Sequence, residues 1–119
     1  MSANMPPTVR KVNVLDKSKS EAVFVPKSLG RVGDVTLELA VGKGELPFWH
    51  TNDEDEHVYC VRGTIHYQLK RAEEELPSID VNAGELFVIP AGVAHKPVCS
   101  NDNVVLIMEK VNPWTTYDS

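Results

Sequence analysis

Hydrophobicity in this chain repeats with a period of two. Val35, Leu37, Leu39 and Val41 alternate with Thr36, Glu38 and Ala40, and Ile65, Tyr67 and Leu69 alternate with His66 and Gln68. Successive side chains of an extended backbone point to opposite faces, so this pattern marks half-buried strands; an amphipathic helix needs a repeat near 3.6. Further β-rich runs lie at residues 12–15, 22–25, 57–61, 86–89 and 104–108. Turn signals separate them: Gly30, Gly33, Gly42, Gly44, Gly63, Leu76-Pro77-Ser78, Asn82-Ala83-Gly84, Ala91-Gly92 and Asn101-Asp102-Asn103. Many short strands at about 8–12-residue spacing predict an all-β sandwich or barrel with almost no helix. The charged stretch 70–75 reads as a solvated hairpin loop rather than a helical turn.

Composition narrows the functional classes. The length of 119 residues suits one domain, and 42% apolar content supplies one core. Twelve Lys and Arg against seventeen Asp and Glu give a net charge of −5, the wrong sign for a nucleic-acid face. Two cysteines, Cys60 and Cys99, are too few and too far apart for a zinc ribbon or a disulfide scaffold. The longest apolar runs, at 86–89 and 104–108, fall far short of the roughly 20 residues a membrane helix needs. The opening MSANMPPTVRKV lacks the apolar core of a secretory signal. The expectation is a soluble, cytoplasmic protein whose partner is neither nucleic acid nor membrane. Residues 1–9 are expected to be a flexible segment, 10–112 the barrel, and 113–119 a tail whose Trp114 and Tyr117 pack on something.

Two segments carry the chemistry. One runs from Gly44 through His50, Asn52, Glu56 and Cys60 to Gly63, the other from Gly84 through Pro90, Gly92 and His95 to Cys99. Each reads as strand, turn, strand with a histidine beside the turn. His50, Glu56 and His95 make two imidazoles and one carboxylate, the set that holds Fe(II) and related divalent ions while leaving positions open. Closing a sheet into a barrel brings groups some forty residues apart to one interior. His57 should face away from Glu56, and His66 away from Ile65, Tyr67 and Leu69. The acidic run 53–56 is a solvated turn from which only Glu56 is a ligand candidate. By parity Cys60 follows Glu56 and Cys99 follows His95, so both thiols are candidates for the cavity lining, with inert packing as the simpler role. Trp49 and Tyr67 are further lining candidates for a planar ligand, and core filling explains them as readily.

These segments resemble the two motifs of the cupin superfamily, G-x5-H-x-H-x3,4-E-x6-G and G-x5-P-x-G-x2-H-x3-N. Gly44, His50, Glu56 and Gly63 match the first, and Gly84, Pro90, Gly92 and His95 the second. The stretches at 49–50, 53–56, 84–98 and 106–109 are similar to those of small single-domain bacterial cupins. The resemblance implies a jelly-roll barrel (a double-stranded β-helix) over roughly residues 10–112. It also implies one divalent metal ion (Fe, Mn, Ni or Zn), a small organic ligand or substrate, and a homodimer formed by strand exchange. Asn52 departs from the second motif histidine, leaving His50, Glu56 and His95 with Asn52 as a weak oxygen ligand or a hydrogen-bonding neighbour of the ligands. Cys99 departs from the terminal Asn. Oxygenase chemistry, isomerase or lyase chemistry, and non-catalytic binding or sensing with a structural or absent metal all remain open.

Overall fold

The computed structural model of the chain describes residues 9–111 and the backbone of strand residues 115–118. The elements are α1 (Val14–Ser18), β1 (Lys27–Val32), β2 (Val35–Glu45), β3 (Trp49–Asn52), β4 (Glu56–Arg62), β5 (Thr64–Arg71), β6 (Glu74–Asn82), β7 (Leu86–Ile89), β8 (Val93–Lys110) and β9 (Thr115–Asp118). The expected all-β jelly-roll barrel is what forms. Its hub is the 18-residue β8. β2 pairs with β8 over residues 98–110 of the latter and β4 with its residues 104–108, while the first half of β8 also pairs with β5 and, at His95, with β3. One long strand thus belongs to both limbs of the barrel, and the interior lies between them.

Several local expectations are corrected. Residues 12–15 read as β-rich, yet Val14–Ser18 forms a helical turn because the Asn13 side chain caps it, accepting from Asp16 N over 3.0 Å. Residues 22–25 contribute only an isolated bridge from Val23 to Val41. Leu76-Pro77-Ser78 reads as a turn but lies within β6, an edge strand that among the described residues pairs only with β5. The β5–β6 register shifts between Tyr67 and Leu69, so Pro77 sits in a bulge of an edge strand, where its missing N–H costs no ladder bond. Asn101-Asp102-Asn103 likewise lies inside β8, where the register with β2 slips between Gly42 and Gly44. The hairpin in the stretch 70–75 is present but tighter, with Lys70 opposite Glu75 and Arg71 opposite Glu74. Ala72 at its tip takes a φ of 52°.

The alternation in β2 hides a second buried face. Leu39 is fully buried as its pattern predicts, and Ala40 on the opposite face is only 7% exposed. Ala40 belongs to the main hydrophobic cluster with Val58, Cys60, Ile65, Tyr67 and Val105, while α1 packs against β2. The Glu38, Ala40, Gly42 face is therefore the one turned to the barrel cavity. In β5 the buried face is the expected one, Ile65, Tyr67 and Leu69.

Gly63, where the first motif ends, has φ +80°, and a Cβ there would meet Ser100 Oγ, Asp102 Oδ1 at 2.9 Å and the Asn103 backbone. Only glycine suits both the left-handed backbone and that approach. Residues 1–8 and the Trp114 and Tyr117 side chains lie outside the described residues, although the backbone of β9 pairs with β3, Asp118 opposite Trp49. No helix among the described residues is long and apolar enough to cross a membrane.

Candidate metal and substrate site

Two turns converge to build the site. The Gly92 amide donates to the Asn52 carbonyl over 2.9 Å, and the Ala91 amide to Asp55 Oδ1 over 2.9 Å. The turn between β3 and β4 is thereby laced to the turn entering β8, which explains why the two motifs act together. In the same acidic run Glu54 pairs with Lys110 at 3.2 Å, a solvated role, while Glu56 turns inward.

His50 of β3 stands directly opposite His95 of β8. Opposed residues of an antiparallel pair share a face, and the two imidazoles stack with centroids 5.6 Å apart and an interplanar angle of 21°. Asn52, two residues along β3, shares that face and donates through Nδ2 to Glu56 Oε1 over 2.8 Å. His95 Nε2 lies 3.8 Å from the same carboxylate oxygen. His95 Nδ1 lies 3.2 Å from the Val93 carbonyl, which can only accept, so Nδ1 carries the proton and Nε2 presents its lone pair toward Glu56.

His50, Asn52, Glu56 and His95 all line one solvent-open cavity of about 680 Å³. Tyr67 and Cys99 line it too. Cys60, fully buried, is not among the lining residues; its Sγ bonds to the Arg62 and Gly63 carbonyls and to Asn103 Nδ2. Trp49 is not among them either, and its ring carries Lys70 Nζ 4.4 Å from the centroid. His66 is exposed and bonded to Asp80 at 2.6 Å.

Burial sets the protonation of the site. It holds His95 down at about 4 and His50 below its usual range, in each case against an opposing backbone hydrogen bond, so both imidazoles are neutral at pH 7. It raises Glu56 to about 7, against the Asn52 hydrogen bond. The close approach of Glu56 and His95 is therefore not an ion pair at neutral pH. It is two lone-pair donors facing each other. Ligands each about 2.1 Å from one ion stand about 3.0–3.4 Å apart at octahedral or tetrahedral angles, so the 3.8 Å separation has to close by roughly half an ångström for the two to share a cation. As placed, no three His, Cys, Asp or Glu among the described residues stand close enough to make a complete metal-holding group. The donor chemistry fits an ion of the two-imidazole, one-carboxylate class.

Sequence reasoning missed two acidic residues on the cavity wall, Glu38 and Glu109. Glu38 sits among the polar positions of β2, which alternation assigns to solvent. Glu109 had a signal: it follows Val105 and Ile107 at steps of two, and both of these line the cavity. Burial and the neighbouring Glu38 and Glu56 push the Glu109 carboxyl up to about 9.

The comparisons agree with this architecture. A family model described as "Cupin domain" matches residues 35–109. The 3-hydroxyanthranilate 3,4-dioxygenase of Scheffersomyces stipitis is 30% identical over 87 residues, covering 72% of this chain and 50% of that protein. This chain spans about half the length of the curated relatives it matches. A cupin-2 domain protein from Shewanella frigidimarina superimposes with a TM-score of 0.70 at 28% identity, over 83% of this chain and 93% of that one. The hydroquinone 1,2-dioxygenase of Sphingomonas sp. TTNP3, solved with 4-hydroxybenzoate bound, shares the fold: its TM-score is 0.75 at 17% identity, over 83% of this chain and 74% of that one. Motif spacing, a jelly-roll barrel and the match over most of the barrel lead to one conclusion: this chain belongs to the cupin domain family.

Proposed function

We propose that this chain is a divalent-metal-dependent cupin of dioxygenase type, with His50, Glu56 and His95 holding one ion beside a small organic molecule. The observation that carries this reading is the facing pair of lone-pair donors, His95 Nε2 and Glu56 Oε1, 3.8 Å apart with His50 in register beside them. The dioxygenase relatives support the reaction class. A bound Fe, Mn, Ni or Zn ion would supply a Lewis-acid centre with open positions for substrate.

The chain's own residues supply the rest. The Val93 carbonyl fixes the His95 tautomer so that Nε2 stays available. Asn52, its amide nitrogen turned to Glu56, orients that carboxylate rather than serving as an oxygen ligand. Tyr67 meets His95 edge-on with centroids 6.2 Å apart, and burial raises its phenol, keeping it protonated as a wall of the cavity. A volume of about 680 Å³ accommodates a molecule of one or two rings.

The non-catalytic reading has one observation in its favour, since Asn52 already satisfies one oxygen of Glu56 without an ion. Oxygen uptake separates the two. Iron-loaded protein given dihydroxy- and aminohydroxybenzenes should consume oxygen in a substrate-dependent way, and His95→Ala should abolish this. Tight binding of these compounds without oxygen uptake would favour the binding module.

A further inference from the structure

We infer that the cavity selects molecules bearing an amine or a neutral hydroxyl and rejects carboxylates, through a carboxyl pair formed by Glu38 and Glu109. The inference deepens the proposed function, since it uses the same cavity, but it does not require the metal.

The pairing of β2 with β8 sets Thr36 opposite Glu109 and Glu38 opposite Ile107. Glu38 and Glu109 are thus diagonal neighbours on the interior face, and both line the cavity. Burial and the neighbouring Glu38 and Glu56 raise the Glu109 carboxyl to about 9, so one oxygen of Glu109 keeps its proton at pH 7 beside the Glu38 carboxyl. A second oxygen, Glu38 Oε1, is buried with no hydrogen-bond partner. A buried acceptor without a donor is costly, and an N–H or O–H from a ligand relieves it.

The rest of the wall points the same way. Its charged residues among the described ones are Glu38, Glu56 and Glu109, with no Lys or Arg. Lys70 of β5 and Lys96 of β8 lie instead over the Trp49 ring, at 4.4 and 5.9 Å from its centroid, and Lys110, next to Glu109 on β8, pairs with Glu54 at 3.2 Å. Asn103, the other amide on the wall, has its Nδ2 engaged by the Arg62 carbonyl at 3.0 Å and by Cys60 Sγ. A ligand carboxylate would add a negative charge beside three carboxyl groups, with no cationic side chain on the wall to receive it. An ammonium or hydroxyl meets acceptors that already need a donor.

The test uses three phenols of nearly equal size: 4-hydroxybenzylamine, 4-hydroxybenzyl alcohol and 4-hydroxybenzoate. Their binding to the full chain is measured by calorimetry at pH 7, before and after chelator treatment, with metal content determined in each sample. The expected order is amine, then alcohol, then benzoate, with benzoate weaker than the alcohol by about tenfold or more in both samples. Glu38→Gln with Glu109→Gln should weaken the amine and raise benzoate affinity; Glu109→Gln alone should do the same to a smaller degree, with circular dichroism verifying the fold of each. Equal binding of the three, preference for benzoate, or binding of none overturns the proposal. Protein that holds no metal even before chelator treatment, yet keeps the ranking, overturns the metal reading and leaves this one standing.

Discussion

Asn52 Nδ2 donates to Glu56 Oε1 across 2.8 Å, and the same oxygen faces His95 Nε2 at 3.8 Å. One carboxylate oxygen is thus held between an amide from the strand before the turn and an imidazole from the second motif. The amide occupies the place where the family motif carries an imidazole, and here it positions the ligand candidate beside it.

Replacing that amide tests the positioning role. Asn52→Ala leaves a buried carboxyl without its donor, a loss of about 1–3 kcal/mol. For a domain of this size the expected drop in Tm is several degrees, read by thermal denaturation. The same variant should weaken metal binding, while Asn52→His, which adds an imidazole, should tighten it. Unchanged Tm and unchanged metal affinity in Asn52→Ala would contradict the role.

The buried carboxyls make metal-free stability depend on pH. Glu109 sits at about 9 and Glu56 at about 7, against an ordinary 4.5, so between these limits the folded chain binds more protons than the unfolded one. Stability therefore falls as pH rises through that window. His95, at about 4 against 6.5, acts oppositely: the unfolded chain takes up the proton first, and stability is lost as pH drops from 6.5 to 4. The two effects overlap below 6.5 and only the carboxyls act above it. Urea denaturation of chelator-treated protein should show a decline between pH 6.5 and 9, and Glu109→Gln, which removes the higher of the two groups, should flatten it. An equally steep decline in the variant would show that Glu109 is not its source.

Gly63 offers a test of the fold independent of ligands. Gly63→Ala places a methyl at φ +80° against Ser100 Oγ and Asp102 Oδ1. Strain and overpacking together should cost about 1–3 kcal/mol. Gly33→Ala has a positive φ but nothing within 4 Å of the added carbon, so it should cost less. Equal losses in denaturant midpoints would remove the packing part of this account.

Much of this was legible in the sequence, for physical reasons that also mark its limits. Period-two patterning disclosed β5 because a strand with one wet face alternates. It misread β2, whose two faces are both covered, so Glu38 looked solvated while it lines the cavity. Motif spacing brought out His50, Glu56 and His95, since turns of fixed length place side chains reproducibly. Glu109 escaped because its partners, Glu38 on β2 and Glu56 on β4, are distant in sequence and become neighbours only through the pairings of β8. Pro77 suggested a turn because sequence alone cannot distinguish a bulged edge strand from a chain reversal.

We further expect the chain to be a homodimer, since β1 is an edge strand that among the described residues pairs only with β2, and it carries an exposed Val32. Size-exclusion chromatography with light scattering should give about twice the 13.2 kDa chain mass. A mass equal to one chain would contradict this.

The central claim is that His50, Glu56 and His95 hold one divalent ion, and metal analysis tests it most directly. Protein purified without chelator, or reconstituted with Fe(II) and desalted, should retain close to one equivalent per chain by elemental analysis. His95→Ala and Glu56→Ala should each lose it while keeping the circular dichroism of a β-barrel. Wild-type protein that retains no metal after reconstitution, or a His95→Ala variant that retains as much as wild type, would contradict the account.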